Sequence, residues 1–168
     1  MITRLYAVLI LSFAATLSYA EPLEFEPNAY LKIEEGMAEN DYNKTLIGIS
    51  HCLGVMYLAS EAGFVENPQD QDKRFHKAAR GLIGLGVMMD INNSGYTEDG
   101  KTDQEVKDHT METIFKVRQE GINAAIAYDD QLDDVVVDGT VNFFHPFFGE
   151  LEYCIMVGNQ SNVIESFD

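Results

Sequence analysis

The sequence predicts a mainly α-helical domain, built as a small antiparallel bundle of four or five helices. Apolar residues recur at helical spacing in several segments, and these segments are separated by four Pro, thirteen Gly and short polar runs. No internal repeat and no linker rich in Pro, Gly or Ser interrupts the chain after its first twenty residues. We therefore expect residues 21–168 to form a single domain.

The first twenty residues have the order of a secretory signal peptide. Arg4 is positive, an apolar stretch follows from Leu5 to Leu17, and the segment ends on the small residue Ala20. This stretch is shorter than the roughly 20 residues of a membrane-spanning helix, so an uncleaved anchor is the less favoured alternative. The pattern predicts export to a periplasmic or extracellular location, and no later apolar run is long enough to span a membrane.

The chain is strongly acidic, with 28 Asp and Glu against 11 Lys and Arg and a formal net charge of −17. Such a charge repels nucleic acid and anionic lipid headgroups, and it favours cations or a basic protein partner. The favoured interpretation, however, is that acidity simply keeps an exported protein soluble and monomeric. The oligomeric state is left open by the sequence.

Two cysteines, Cys52 and Cys154, lie in the first and last long helical segments. Two cysteines in an exported chain normally pair, so we predict a disulfide that joins the two ends of the domain. Two buried free thiols and an intermolecular bridge are the alternatives. The sequence contains no Cys-x-x-Cys and no zinc-ligand spacing.

Helix boundaries are predicted from capping residues and from the positions of Pro and Gly. A short helix is expected over 29–39, and further helices are expected from Asp41 to about Gly63, from Asn67-Pro68 to about 91, from Thr102 or Asp103 to about Asp130, and from Pro146. The apolar residues at helical spacing are expected to face the core. On the fourth of these helices they are Met111, Ile114, Phe115, Ile122, Ala125 and Ile126, and on the last they are Leu151, Cys154, Ile155 and Gly158.

One segment departs from the helical pattern. Two runs with strand-forming residues, Val135-Val136-Val137 and Thr140-Val141-Asn142-Phe143, flank Asp138-Gly139, which is a strong signal for a tight hairpin turn. The sequence therefore predicts a short β-hairpin there. The competing interpretation is an irregular connection whose valines close the end of the bundle.

The segment from Asp90 to Lys101 resembles an EF-hand calcium loop. Oxygen-bearing side chains stand at the first, third, fifth and ninth positions, and Gly95 stands at the sixth. The twelfth position, where a bidentate Glu is needed, is Lys101. A plain helix-to-helix turn uses the same residue types and is the favoured interpretation. The candidate calcium ligands are Asp90, Asn92, Ser94, Tyr96 and Glu98.

No catalytic residue and no further cofactor are predicted. Glu105, His109 and Glu112 fall on one helical face, and any enzymatic interpretation would have to be built on them. His51 adjoins Cys52, but neighbours on a helix point about 100° apart, so a disulfide is favoured over a reactive thiolate pair.

Four aromatic residues occur within six positions and form a candidate partner patch. Burying all four from one turn is difficult, so some could contact a protein partner, but closing the core is the favoured interpretation. They are Phe143, Phe144, Phe147 and Phe148.

From these observations we expect an exported, non-catalytic, acidic helical protein that binds another protein, such as an inhibitor or an immunity-type protein. The alternatives are a calcium-binding helical module that uses residues 90–101 and an enzyme of unrecognised type.

Overall fold

A computed structural model of the chain describes residues 25–61, 68–96, 100–129, 131, 135–138 and 140–161. The predicted signal peptide, residues 1–20, lies outside the described residues.

In the described residues five helices pack together, which confirms the predicted mainly α-helical bundle. In chain order the elements are α1 (Leu31–Glu39), α2 (Tyr42–Glu61), α3 (Pro68–Ser94), α4 (Asp103–Asp129), β1 (Val136–Val137), β2 (Thr140–Val141) and α5 (Pro146–Gln160). The predicted starts at Asp41, Pro68, Asp103 and Pro146 agree with these bounds to within one residue. The third helix continues to Ser94, past the polar residues that were expected to end it.

Local side chains cap the helices as the sequence suggests. The carboxylate of Asp41 accepts a hydrogen bond of 3.0 Å from the Lys44 amide at the start of α2. Thr102 and Glu105 form a reciprocal capping box before α4, in which each side chain accepts a hydrogen bond from the other residue's amide. At α5, Nδ1 of His145 accepts from the Phe147 amide, a cap that was not predicted because the start of this helix was inferred from Pro146. These contacts explain why the starts of the helices can be predicted from sequence.

Helix α2 lies at the centre of the bundle and packs against each of the other four helices. It is buried on almost all sides, and its side chains at 49, 52, 53 and 55 have no exposed surface. Hydrophobic burial of this helix therefore organises the core.

The predicted disulfide between Cys52 and Cys154 is confirmed. The two Cα atoms are 5.1 Å apart, and both side chains are completely buried. The bond joins the middle of α2 to α5 across a sequence separation of 102 residues.

The predicted inward face of α4 is wrong for most of its large apolar residues. Ile114 packs against the core as predicted, but Met111, Phe115, Ile122 and Ile126 are exposed. The buried row is smaller, namely Thr113, Val117, Gly121, Ala124 and Tyr128. The reason is the close approach of α2 and α4: a Cβ added at Gly121 would lie 2.6 Å from Cβ of Leu53, and one added at Gly54 would lie 2.8 Å from Cβ of Ala124. Small residues allow this approach, and they decide which face of α4 turns inward.

The hairpin prediction is confirmed as a very short antiparallel pairing. Val136 pairs with Val141 and Val137 pairs with Thr140, and Asp138 adopts a left-handed φ of 51°. Gly139 lies outside the described residues. The neighbouring Val135 is buried in the core, so one valine also closes the bundle as the competing interpretation proposed.

Within the described ranges, no helix has the length and apolar character needed to cross a membrane.

Candidate functional site

The most unusual buried feature is a polar network centred on Glu150 of α5. Its side chain is 3% exposed, and His51 of α2 beside it is 2% exposed. The carboxylate accepts three hydrogen bonds: 2.8 Å from Nε2 of His51, 2.6 Å from the Asn28 amide and 3.0 Å from the Tyr30 amide. Because buried carboxylates are costly unless they are fully hydrogen-bonded, this environment is what allows Glu150 to be charged.

The network determines which atoms of Glu150, His51 and Tyr128 donate and which accept hydrogen bonds. Burial alone would raise the pKa of Glu150, but the hydrogen bonds from His51 and the two amides more than offset it and hold the pKa below its ordinary value. An ionised Glu150 only accepts, so Nε2 of His51 carries the hydrogen in their bond. On the other side of the ring, Nδ1 of His51 lies 3.0 Å from the hydroxyl of Tyr128, and burial raises the pKa of this Tyr to about 12. The neutral Tyr128 hydroxyl can therefore donate to His51.

The segment that precedes α1 covers this network. The ring of Phe25 packs against the rings of His51, Tyr128 and Phe147 at centroid distances of 5.7, 5.7 and 6.3 Å. The Phe25 amide also donates to the side chain of Gln131. The network is closed to solvent by this ring, and it ties α2, α4, α5 and the N-terminal segment together.

One group of metal-ligand residues converges in the described part of the chain, and it belongs to this network. Potential ligand atoms of His51, Glu150 and Cys154 lie within 4.8 Å of one another. The sulfur of Cys154 is bonded to Cys52, so it offers no thiolate to a metal. With Glu150 already accepting three hydrogen bonds, the geometry fits a structural network better than a metal centre.

The structure separates the three residues of the enzymatic hypothesis. Glu105 serves the capping box of α4, and Glu112 is exposed. His109 points to α3, where its Nε2 lies 2.6 Å from Oδ2 of Asp90. The hydroxyl of Ser94 is 3.4 Å from the same Nε2. In a hydrolytic triad the carboxylate and the hydroxyl contact opposite ring nitrogens, so this arrangement is not a triad.

Asp90 is the centre of a second polar contact, between α3 and α4. Its carboxylate accepts 2.7 Å from the hydroxyl of Thr113 in addition to its contact with His109. Tyr42 lies nearby, and its hydroxyl is buried. Burial, with a contribution from the charge of Asp90, raises the pKa of Tyr42 to about 12. The aromatic ring of Tyr96 stacks on His109 at 3.8 Å and covers the site from outside.

The candidate calcium ligands do not form an EF-hand loop in the described residues. Asp90, Asn92 and Ser94 lie on the last turns of α3, where residues two apart point to opposite sides of the helix. Asp90 is directed to α4, Asn92 is exposed and Glu98 lies outside the described residues. The expected loop at positions 90–94 is therefore corrected to helix, because α3 extends further than the polar composition suggested.

The aromatic cluster is divided between core and surface. Phe147 is fully buried and Phe148 is half-buried, which agrees with core closure. Phe143 is 69% exposed and packs on Phe148 at 5.1 Å, whereas Phe144 is 99% exposed. Two of the four candidate patch residues are thus presented to solvent.

A wide groove of about 640 Å³ runs between α3 and α5. It is lined by Arg74 of α3 and by seven α5 residues between Gly149 and Gln160. None of the described lining residues is a histidine, and Glu105, His109 and Glu112 are not among them.

Comparisons of the chain with protein-family models, with curated proteins and with solved structures found no match.

Glu150 was missed by the sequence reasoning, although a signal was present. It lies three residues after Phe147 and four before Cys154, so it occupies the apolar face of α5. A lone carboxylate on such a face indicates a buried partner.

Proposed function

We propose that this protein is an exported, non-catalytic module that binds a basic protein partner, as an inhibitor or an immunity-type protein does. The observation that carries the proposal is the bare aromatic ring of Phe144, which is 99% exposed. A fully exposed Phe costs hydration free energy in the isolated protein, and exposed aromatic residues are frequent anchors of protein interfaces.

Phe144 is held in an ordered turn. Its amide donates 3.2 Å to the side chain of Asn142, and the following His145 amide donates 2.9 Å to the Asn142 carbonyl. The turn leads directly into α5, which is fixed to α2 by the buried disulfide. Preorganisation of this kind reduces the entropy lost on binding, so it supports an anchor role.

The charge of the protein indicates the type of partner. A net charge of −17 would accelerate association with a basic surface and repel an acidic one. Export is supported by the signal-like residues 1–20 and by a disulfide, which persists in oxidising compartments. A periplasmic or extracellular basic protein is therefore the proposed target.

Affinity capture from the exported fraction of the source organism tests this proposal. The bait is the full chain, and the matched baits carry Phe144→Ser or, as a control for another exposed apolar residue, Ile47→Ser on α2, where Ile47 is 52% exposed. The expected result is a basic protein that wild type and Ile47→Ser retain. Its purified form should bind Phe144→Ser at least about tenfold more weakly and should lose affinity as salt is raised.

Two results would contradict the proposal. One is equal binding of the partner to wild type and Phe144→Ser. The other is a partner whose binding both substitutions reduce alike, since that would indicate general hydrophobic adsorption.

A further inference from the structure

The solvent side of α4 carries a row of large apolar side chains that the fold leaves uncovered. Met111 is 58% exposed, Phe115 70%, Ile122 42% and Ile126 69%. We call these four residues the α4 stripe. At about 100° per residue all four lie within about 60° of one another, and the stripe points roughly 150° away from the buried row of the same helix.

We propose that the α4 stripe is the interface of an antiparallel homodimer, with a second copy of this chain as its occupant.

The spacing of the stripe matches itself when the helix is reversed. Its members are separated by four, seven and four residues, so the pattern is symmetric about the midpoint between Arg118 and Gln119. A two-fold axis through that midpoint would place Phe115 opposite Ile122 of the second copy and Met111 opposite Ile126. A two-fold interface requires such self-complementarity, whereas a patch for an unrelated partner does not.

The charge distribution on α4 leaves the middle of the stripe open to a second copy. Helix α4 contains six carboxylate side chains in a strongly acidic protein, yet the face between Met111 and Ile126 carries none of them. The polar residues on that face are Arg118 and Gln119, and reversal of the helix places each opposite the other. The guanidinium of Arg118 can donate to the side-chain carbonyl of the facing Gln119. The middle of the interface is therefore free of carboxylates, whereas just beyond the stripe, at each end, the same register places Asp108 opposite Asp129 of the second copy.

The area is sufficient for a weak dimer. With side-chain areas of about 150–250 Å², the exposed parts of the four residues present roughly 450 Å² per copy. Two copies would bury roughly 900 Å² of apolar surface, and the polar rim would bring the contact close to the ~1,200 Å² of small stable interfaces. We expect a dissociation constant on the order of 1–100 µM, because long-range repulsion between two acidic chains opposes the contact.

Sedimentation equilibrium of the full chain, over about 1 µM to 1 mM, tests the dimer. The expected result is a concentration-dependent doubling of mass. The dissociation constant of the dimer should fall as salt is added, since salt screens the repulsion between the copies. A basic partner on this surface would show the opposite salt dependence. A monomer over the whole concentration range would overturn the proposal.

Charged substitutions test the register. Phe115→Lys and Ile122→Glu should each weaken the dimer at least tenfold. Asn123 is exposed but lies about 90° from the stripe, so the control substitutions Asn123→Lys and Asn123→Glu should not weaken it. An equimolar mixture of Phe115→Lys and Ile122→Glu should recover heterodimers, because the antiparallel register pairs Lys with Glu on one side and keeps a Phe–Ile contact on the other. Circular dichroism checks that each variant is folded.

The register would be wrong if the mixture failed to recover dimers. The surface would be wrong if the dimer persisted in both single variants. Phe144→Ser should leave the dimer intact, which separates this inference from the proposed partner site.

Discussion

Nε2 of His51 lies 2.8 Å from Oε1 of Glu150 in a part of the molecule where both side chains are almost completely buried. This contact joins α2 to α5 beside the disulfide, and the same carboxylate holds the backbone of Asn28 and Tyr30. The pair therefore fixes the N-terminal segment on the bundle.

Replacing Glu150 with Ala should destabilise the protein by about 3–5 kcal/mol, because His51 and two amides would be left buried without an acceptor. The measurement is the free energy of unfolding in urea, followed by circular dichroism. Glu152→Ala, at an exposed position on the same helix, should stay within about 0.5 kcal/mol of wild type. A loss below about 1 kcal/mol in Glu150→Ala would contradict the structural role.

The depressed pKa of Glu150 predicts a pH dependence of stability. Above the ordinary Glu value of 4.5 the carboxyl is ionised in both states, and its stabilising contribution is fully present. As the pH falls from that value through the lower folded-state pKa, the unfolded chain binds the proton first and the contribution is lost. Urea unfolding from pH 7 to about 3 should therefore show that the stability difference between wild type and Glu150→Gln shrinks towards acid. A difference that is constant or grows would show that the carboxylate is not the stabilising form.

Removal of the disulfide should cost on the order of 4 to 5 kcal/mol, because the bond closes a loop of about 100 residues in the unfolded chain. The comparison is between the oxidised wild type and the Cys52→Ser, Cys154→Ser double variant. A reducing agent should destabilise wild type and leave the double variant unchanged, since the chain contains no other cysteine. Mass spectrometry of unreduced peptides should find the two segments joined. Stability that is equal with and without the bond would contradict this prediction.

Two glycines on different helices provide a matched test of helix packing. Gly121→Ala would place a Cβ 2.6 Å from Cβ of Leu53, so it should push α4 from α2 and cost about 1–3 kcal/mol. Gly149→Ala has no atom within 4 Å of the new Cβ and should be neutral or stabilising by up to about 1 kcal/mol through helix propensity. Thermal and urea unfolding of both variants measure the contrast. Equal effects of the two substitutions on stability would show that the close approach of α2 and α4 does not require a glycine at position 121.

Calcium is expected to bind no more tightly than about 10⁻⁴ M, because Asp90, Asn92 and Ser94 are helical and the twelfth position is Lys101. Calorimetric titration of chelator-treated protein gives the affinity. Asp90→Ala should not change the calcium signal, but it should lower stability by about 1–3 kcal/mol because Thr113 and His109 lose their acceptor. Micromolar calcium affinity that disappears in Asp90→Ala would instead support the calcium-binding alternative.

Local chemistry made much of this fold predictable. Asp41, Thr102 with Glu105, and Pro146 mark helix starts through contacts with residues a few positions away, and such contacts can be read from sequence. Asp138-Gly139 predicted the short hairpin for the same reason. The disulfide was predictable because two cysteines on helices that share one core have few other partners.

The exposed face of α4 was not predictable in this way. Its larger side chains, such as Phe115, suggested the core, whereas packing selected the row that contains Gly121 and Ala124. Hydrophobic periodicity ranks faces by their own apolar content, but the distance between two helix axes is decided by both helices together. Gly54 on α2 and Gly121 on α4 determine that distance jointly.

The sequence by itself determined the helical class, the helix starts and the acidic charge, since each depends on composition or on neighbours along the chain. It favoured the pairing of Cys52 with Cys154, and the structure decided between that pairing and its alternatives. The tertiary structure alone decided that Glu150 is a buried ion held by amides about 120 residues away, and that Phe115 faces solvent. The physical reason is that burial and hydrogen bonding of these groups depend on atoms contributed by distant segments, and those atoms are brought into contact only when the helices pack.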